Sequence, residues 1–257
     1  MTNTMLRLNT VLLITILLLS ISCKDQSATT KETSYKITGN VMDYEGHDAQ
    51  VNIMGFFVDP LFKGSIDESG TLIIELPNEF NKTSQKAFDD YNSLSDAAYE
   101  LSSIGIEDIF SPLENLTISN PDVNIALAGK YYGFETYEDG VRTGRIFPGS
   151  SKEFITYNIN PEKHEPIKGH FYMWLYCDGK TSIRGNNKLP IEVNASGEVI
   201  KESTREYNIT LKKGWNVVKY TVIATEKDSN GIEQVMKSSF TTEENYENEI
   251  YWHYFQL

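Results

Sequence analysis

The residues best placed to do chemistry in this chain are rings. Their densest run is Gly169-His-Phe-Tyr-Met-Trp-Leu-Tyr-Cys177. Laid out as a strand, it turns Phe171, Met173, Leu175 and Cys177 one way, and His170, Tyr172, Trp174 and Tyr176 the other. The first set is a core face. The second is a row of rings with polar tips, the kind of surface on which sugars or peptides stack. Trp215 and the segment Tyr251-Trp252-His253-Tyr254 extend it. Tyr172, Trp174, Tyr176, Trp215 and Trp252 are therefore the candidate ligand-binding residues. A competing reading makes the strand central and buried on both sides, with Tyr and Trp filling a second core layer. Large aromatics are ordinary sheet residues, which favours the core reading.

Other chemistries find less support. His47, His164, His170 and His253 are the only histidines, and no two stand at a ligand spacing such as H-x-H or H-E-x-x-H. No metal site and no cofactor is expected. The chain lacks a G-x-S-x-G elbow, so no catalytic residue is assigned. Carboxylates are abundant. A glycosidase-type pair would be assembled by the fold, because its members are recognised by separation in space. Asp228-Ser-Asn-Gly231 has the ring of a calcium loop but lacks its ligand spacing, and Asn-Gly between strands is a hairpin turn. Cys177 lies in an apolar run and reads as a small buried hydrophobe.

The other cysteine, Cys23, stands in a different setting. Val11–Leu19 is apolar apart from Thr15, small residues follow at Ser20 and Ser22, and Lys24-Asp25-Gln26 is abruptly polar. Arg7 is the only charge ahead of the run. This is the layout of a secretory signal peptide. The run is too short for a spanning helix, which needs about 20 residues. Leu19-Ser-Ile-Ser-Cys23 resembles the lipobox of bacterial lipoproteins, with Ser20 where leucine is usual and Leu19 one place earlier. Lys24-Asp25 resembles the signal that sends Bacteroidetes lipoproteins to the outer face of the outer membrane. The resemblance implies that Cys23 carries the lipid anchor and becomes the first mature residue. It also implies a membrane partner through more than one acyl chain, which holds stably where one chain binds reversibly. The alternative is a soluble secreted protein cut near Ser22.

Composition narrows the partners. The chain has a net charge of −13, and loss of Arg7 takes the mature part to about −14. So acidic a surface is unsuited to nucleic acid, which needs clustered Lys and Arg. With 40% hydrophobic residues and 12% aromatics the body should fold around a real core.

The elements that would position these groups are mainly strands. Residues 24–34 are polar and read as a tether reaching roughly 20 Å. Strands are expected at Tyr35–Met42, Val51–Val58 and Thr71–Leu76 by their alternation and bounding turns. One amphipathic helix is expected near 84–102, from the spacing of Phe88, Tyr91, Leu94, Ala98 and Leu101, with Thr83 or Ser84 as its cap. From Leu113 onward strand follows strand, including Glu153–Asn158, Gly169–Cys177, Arg205–Leu211 and Ile250–Phe255. Such spacing predicts an antiparallel β-sandwich. The first block, Ile37-Thr-Gly-Asn-Val41 through Leu72–Pro77, resembles the carboxypeptidase regulatory-like modules of exported bacterial proteins. That resemblance implies a structural or adhesive role. Tyr207–Val218, around Gly214-Trp215, resembles a hairpin of Bacteroidetes lipoproteins and implies no activity.

The domain layout expected is 1–22 signal peptide, 23–34 lipidated tether, 35–111 small β module plus helix, and 112–257 larger antiparallel sandwich. The function expected is a surface lipoprotein of the outer membrane, facing outward. It would act as a non-catalytic binding or structural accessory for a glycan, a peptide or an outer-membrane protein partner. A surface hydrolase with a fold-assembled carboxylate pair is the alternative.

Overall fold

Seven strands close on themselves. β1 (Tyr35–Met42) pairs with β4 (Thr71–Leu76), β4 with β3 (Phe62–Ile66), and β3 with β2 (Ala49–Ile53). Then β2 pairs with β7 (Phe134–Glu138), β7 with β8 (Val141–Gly149), and β8 with β14 (Tyr251–Gln256). A parallel pairing of β14 with β1, Val41 against Trp252, completes a seven-stranded barrel. The structure is a computed structural model, and it describes residues 35–53, 61–95, 100, 104–129, 133–244, 246 and 250–257. All of these fall in the unit Ser34–Leu257. Cys23, the signal segment and the tether lie outside them, as do residues 54–58 of the second expected strand and the helix positions Ala98 and Leu101.

Alternation makes the barrel. In β4, Leu72, Ile74 and Leu76 are buried while Thr71, Ile73 and Glu75 face out. In β1, Ile37 and Val41 are buried, and Gly39 between them admits the Trp252 ring against its backbone. The turn Asp139-Gly140 joins β7 to β8 with both residues at positive φ, 47° and 80°, as a tight hairpin turn requires.

A second group of strands continues from the barrel wall. β9 (Gly169–Cys177) takes a place beside β8 through Gly149 and Phe171, and β6 (Ile125–Ala128) pairs along its C-terminal half. Beyond β9 the order is β12 (Gly214–Lys227), β13 (Glu233–Glu243), β11 (Val199–Leu211), β10 (Thr181–Val193) and β5 (Leu116–Ile118). Asn216 pins the turn between β11 and β12. Its buried amide accepts from the Lys212 amide and donates to the Lys212 and Gly214 carbonyls, each at 2.8 Å.

The fold is thus mainly β, as its alternation dictates, and its closed element is a barrel where the sequence predicts a sandwich. Strands from before and after residue 111 share that barrel. Three helices occur among the described residues, not one. The expected helix begins earlier, as α1 (Phe80–Asn92). Its start is fixed by packing rather than by a polar cap, because Phe80 is fully buried against Trp215 at 4.6 Å and Phe62 at 5.1 Å. Leu94 is 53% exposed, so the stripe does not continue as a buried face. α2 (Ile106–Phe110) is short. α3 (Lys152–Ile159) replaces the strand expected at Glu153–Asn158. Its residues are good strand formers, but Ser151 Oγ accepts from the Phe154 amide and caps a helix. Adjacent Phe154 and Ile155 are then both buried, which a strand with one covered face could not achieve.

Two apolar clusters result. One fills the barrel with Ile37, Val51, Leu72, Ile74, Phe134, Ile146 and Trp252. The other joins Phe110, Phe154, Phe171, Met173, Ile209 and Phe240. Among the described residues no helix is long and apolar enough to cross a membrane.

Candidate functional site

The fold brings the five aromatic candidates together, and it does so inside. Tyr172 and Trp252 are 0% exposed, Trp174 1%, Trp215 4% and Tyr176 7%. β9 has the alternation expected, with Phe171, Met173, Leu175 and Cys177 in one cluster and Tyr172, Trp174 and Tyr176 in the barrel cluster. Trp174 stacks on Trp252 with centroids 5.4 Å apart and planes at 14°. Trp215 meets Tyr176 edge-on at 5.3 Å and donates from Nε1 to the Pro77 carbonyl at 2.9 Å. Tyr176 donates to the Asn78 carbonyl. The row therefore acts as core in the free protein. Cys177 is fully buried, and burial pushes its thiol up, away from the reactive thiolate.

The end of the same β14 segment reaches an open cleft of about 290 Å³. It is lined by Asp43 after β1, by Ser150–Glu153 at the start of α3, and by Tyr251, His253 and Tyr254. Ser150 fixes the wall, since its Oγ accepts from the His170 amide at 2.9 Å and its own amide donates to the His170 carbonyl at 2.8 Å. Tyr251 presents a half-exposed ring. The volume sits just below the range of drug-sized sites and suits one sugar ring or one amino-acid side chain. Of the C-terminal aromatic segment, Trp252 thus turns inward while Tyr251 and His253 face this opening. Asp43, Ser151, Lys152 and Glu153 were not marked by the sequence, because only the barrel closure places β1 and α3 beside β14.

Charge in the cleft is ordered. Hydrogen bonds from its own backbone amide and from Ser151 hold the Glu153 carboxyl below the usual range. Its place in the first turn of α3 suits the positive end of the helix. His253 Nε2 lies 3.1 Å from the Gly149 carbonyl, which can only accept, so the neutral ring carries its proton on Nε2. Burial pushes the His253 pKa down, against the opposing pull of that bond and of the Glu153 and Asp43 carboxylates. Lys152, on the same wall, adds to the lowering.

This shift has a sign that can be measured. A histidine whose folded pKa lies below its unfolded value of about 6.5 binds more protons when unfolded. Its contribution to stability is complete above that value and is lost as pH falls from 6.5 toward the folded pKa. Urea midpoints measured from pH 7.5 to 5 should fall more steeply for the native chain than for His253→Gln. Parallel curves would show that burial of the ring carries no such cost.

Comparison with protein-family models, curated proteins and solved structures finds no match to this chain. Among the described residues no group of three His, Cys, Asp or Glu side chains could hold a metal ion.

Proposed function

We infer that this chain is a lipid-anchored accessory protein of the outer membrane, tethered through Cys23 and facing outward. Its barrel body offers the Tyr251–His253 cleft to a small polar ligand such as a sugar or peptide end, on behalf of an outer-membrane partner. The observation that carries binding over catalysis is the state of the titratable pair in the cleft. Glu153 is held ionised and His253 is held neutral with its Nε2–H given to Gly149. Neither is poised to protonate a leaving group, which is what a general acid must do. The alternative hydrolase draws on one observation, that Asp43 and Glu153 line the same cleft. A catalytic acid of that class needs a raised pKa, and Glu153 moves the other way.

The apolar run, small residues and cysteine at positions 11–23 support the location. Cys23→Ala should move the protein from the membrane to the soluble fraction, since the anchor's acyl chains contribute about 0.8 kcal/mol per buried methylene. Unchanged fractionation would rule out anchoring at this residue. Binding is checked separately on the soluble body, by following the His253 ring resonances during titration with monosaccharides and dipeptides.

A further inference from the structure

The outward face of β2, β7 and β8 carries a group of polar side chains that the cleft does not use. The registers set Asn52 against Glu135 and Glu135 against Arg145, with Gln50 against Tyr137 and Tyr137 against Arg142 in the next row. Both arginines reach one atom, with Arg142 Nη2 and Arg145 Nη2 each 3.3 Å from Glu135 Oε1. The other carboxylate oxygen accepts from Tyr137 at 3.1 Å. Glu135 is thereby filled, its side chain only 10% exposed.

The arginines are not filled. Two guanidinium charges against one carboxylate leave an excess of one positive charge, in a chain whose net charge is −13. The chain has only five arginines, so two of them converging on one side chain is a concentration. Each guanidinium has five donors. The Nε atoms of both Arg142 and Arg145 are buried and lack a hydrogen-bond partner among the described residues. A buried donor without an acceptor is costly, and more so when charged. Their side chains remain 33% and 22% exposed, so a small solute can reach the guanidinium ends while the Nε atoms stay covered.

We propose that Arg142 and Arg145 form a binding site for an oxyanion, the carboxylate, sulfate or phosphate group of a small ligand, with Glu135 holding the two guanidinium groups in place. Such a group accepts two parallel N–H bonds from a guanidinium fork, which a lysine could not offer. Phe255 stands opposite Arg145 on β14, with Lys152 Nζ 5.2 Å from its ring centre. The site is independent of the proposed role for the cleft.

The side-chain Nε–H resonances of Arg142 and Arg145 report on it directly by NMR. They are followed while acetate, sulfate or phosphate replaces chloride at constant ionic strength. Saturable shifts of both signals with at least one oxyanion are expected, and the three arms identify which group is preferred. Arg145→Gln should weaken binding about tenfold or more, the size of one charge-assisted bond. Glu135→Gln removes the neutralising charge and should tighten binding. A merely structural ion-pair network predicts no tightening. Should Arg145→Gln fail to fold, Arg142→Lys keeps the charge but loses the fork and should still weaken binding. Signals that do not move, shifts reproduced by chloride, or weaker binding in a folded Glu135→Gln protein would each overturn the assignment.

Discussion

Trp174→Ala should lower stability by about 3–5 kcal/mol, the range for emptying a large buried aromatic site. For a body of this size that is a fall in melting temperature of roughly 6–20 °C. The reason is geometric. Trp174 is 1% exposed, stacks on Trp252, and lies 6.3 Å from Phe134. Its loss strips contacts from a wall made of side chains that are themselves buried and cannot collapse inward cheaply. The indole Nε1 has no hydrogen-bond partner among the described residues. Trp174→Phe therefore removes a desolvated donor along with some ring area, and should cost much less than the alanine change. Thermal and urea denaturation of the two variants check both statements. A Trp174→Ala protein that melts like the native one yet binds a sugar or peptide more weakly would return this residue to the surface-stacking role.

Gly39→Val separates two effects that pull in opposite directions. Val is a good strand residue and Gly a poor one, so propensity alone predicts a gain of about 0.5–1 kcal/mol in β1. Packing predicts the reverse. A Cβ at position 39 would stand 2.5 Å from Trp252 Nε1 and 2.6 Å from Cδ1. The Trp252 ring is 0% exposed and held by Trp174 and Phe134, so it has nowhere to move. Overpacking of that kind costs about 1–3 kcal/mol, which outweighs the propensity gain. Because Trp252 also sits at the β1–β14 pairing, the damage should appear as faster amide hydrogen exchange along β14, Tyr251–Gln256. A stabilised Gly39→Val protein would mean that the Trp252 ring has room to shift.

The sequence carried the local part of this structure well. Thr71–Leu76 and Gly169–Cys177 are strands with the bounds their alternation and flanking turns imply. What it could not carry was which strands meet. A sandwich and a barrel have the same period-two pattern, and the pairing of β14 with both β1 and β8 is what closes the barrel here. The same limit governed the aromatic row. Tyr172, Trp174 and Tyr176 do share a face, but whether that face meets solvent depends on strands from both ends of the chain. Lys152–Ile159 failed for a local reason, since its β-branched and aromatic residues outvoted a single serine cap. The Arg142–Arg145 pair offered one legible signal, two of five arginines three residues apart. A three-residue step puts strand neighbours on opposite faces. It is the irregular register between Thr136 and Tyr137 that turns both side chains toward Glu135.

The parallel seam between β1 and β14 also sets an order of events. β1 is among the first segments of the body to be synthesised and β14 among the last, yet neither completes its barrel pairings without the other. Contacts so remote in sequence form late, because the intervening chain must be gathered first. A nascent chain therefore carries an open, half-paired barrel until the Tyr251–Gln256 strand arrives, with free edges at Val41–Met42 and along Gly144–Gly149. Release before that strand would leave these edges available to other chains.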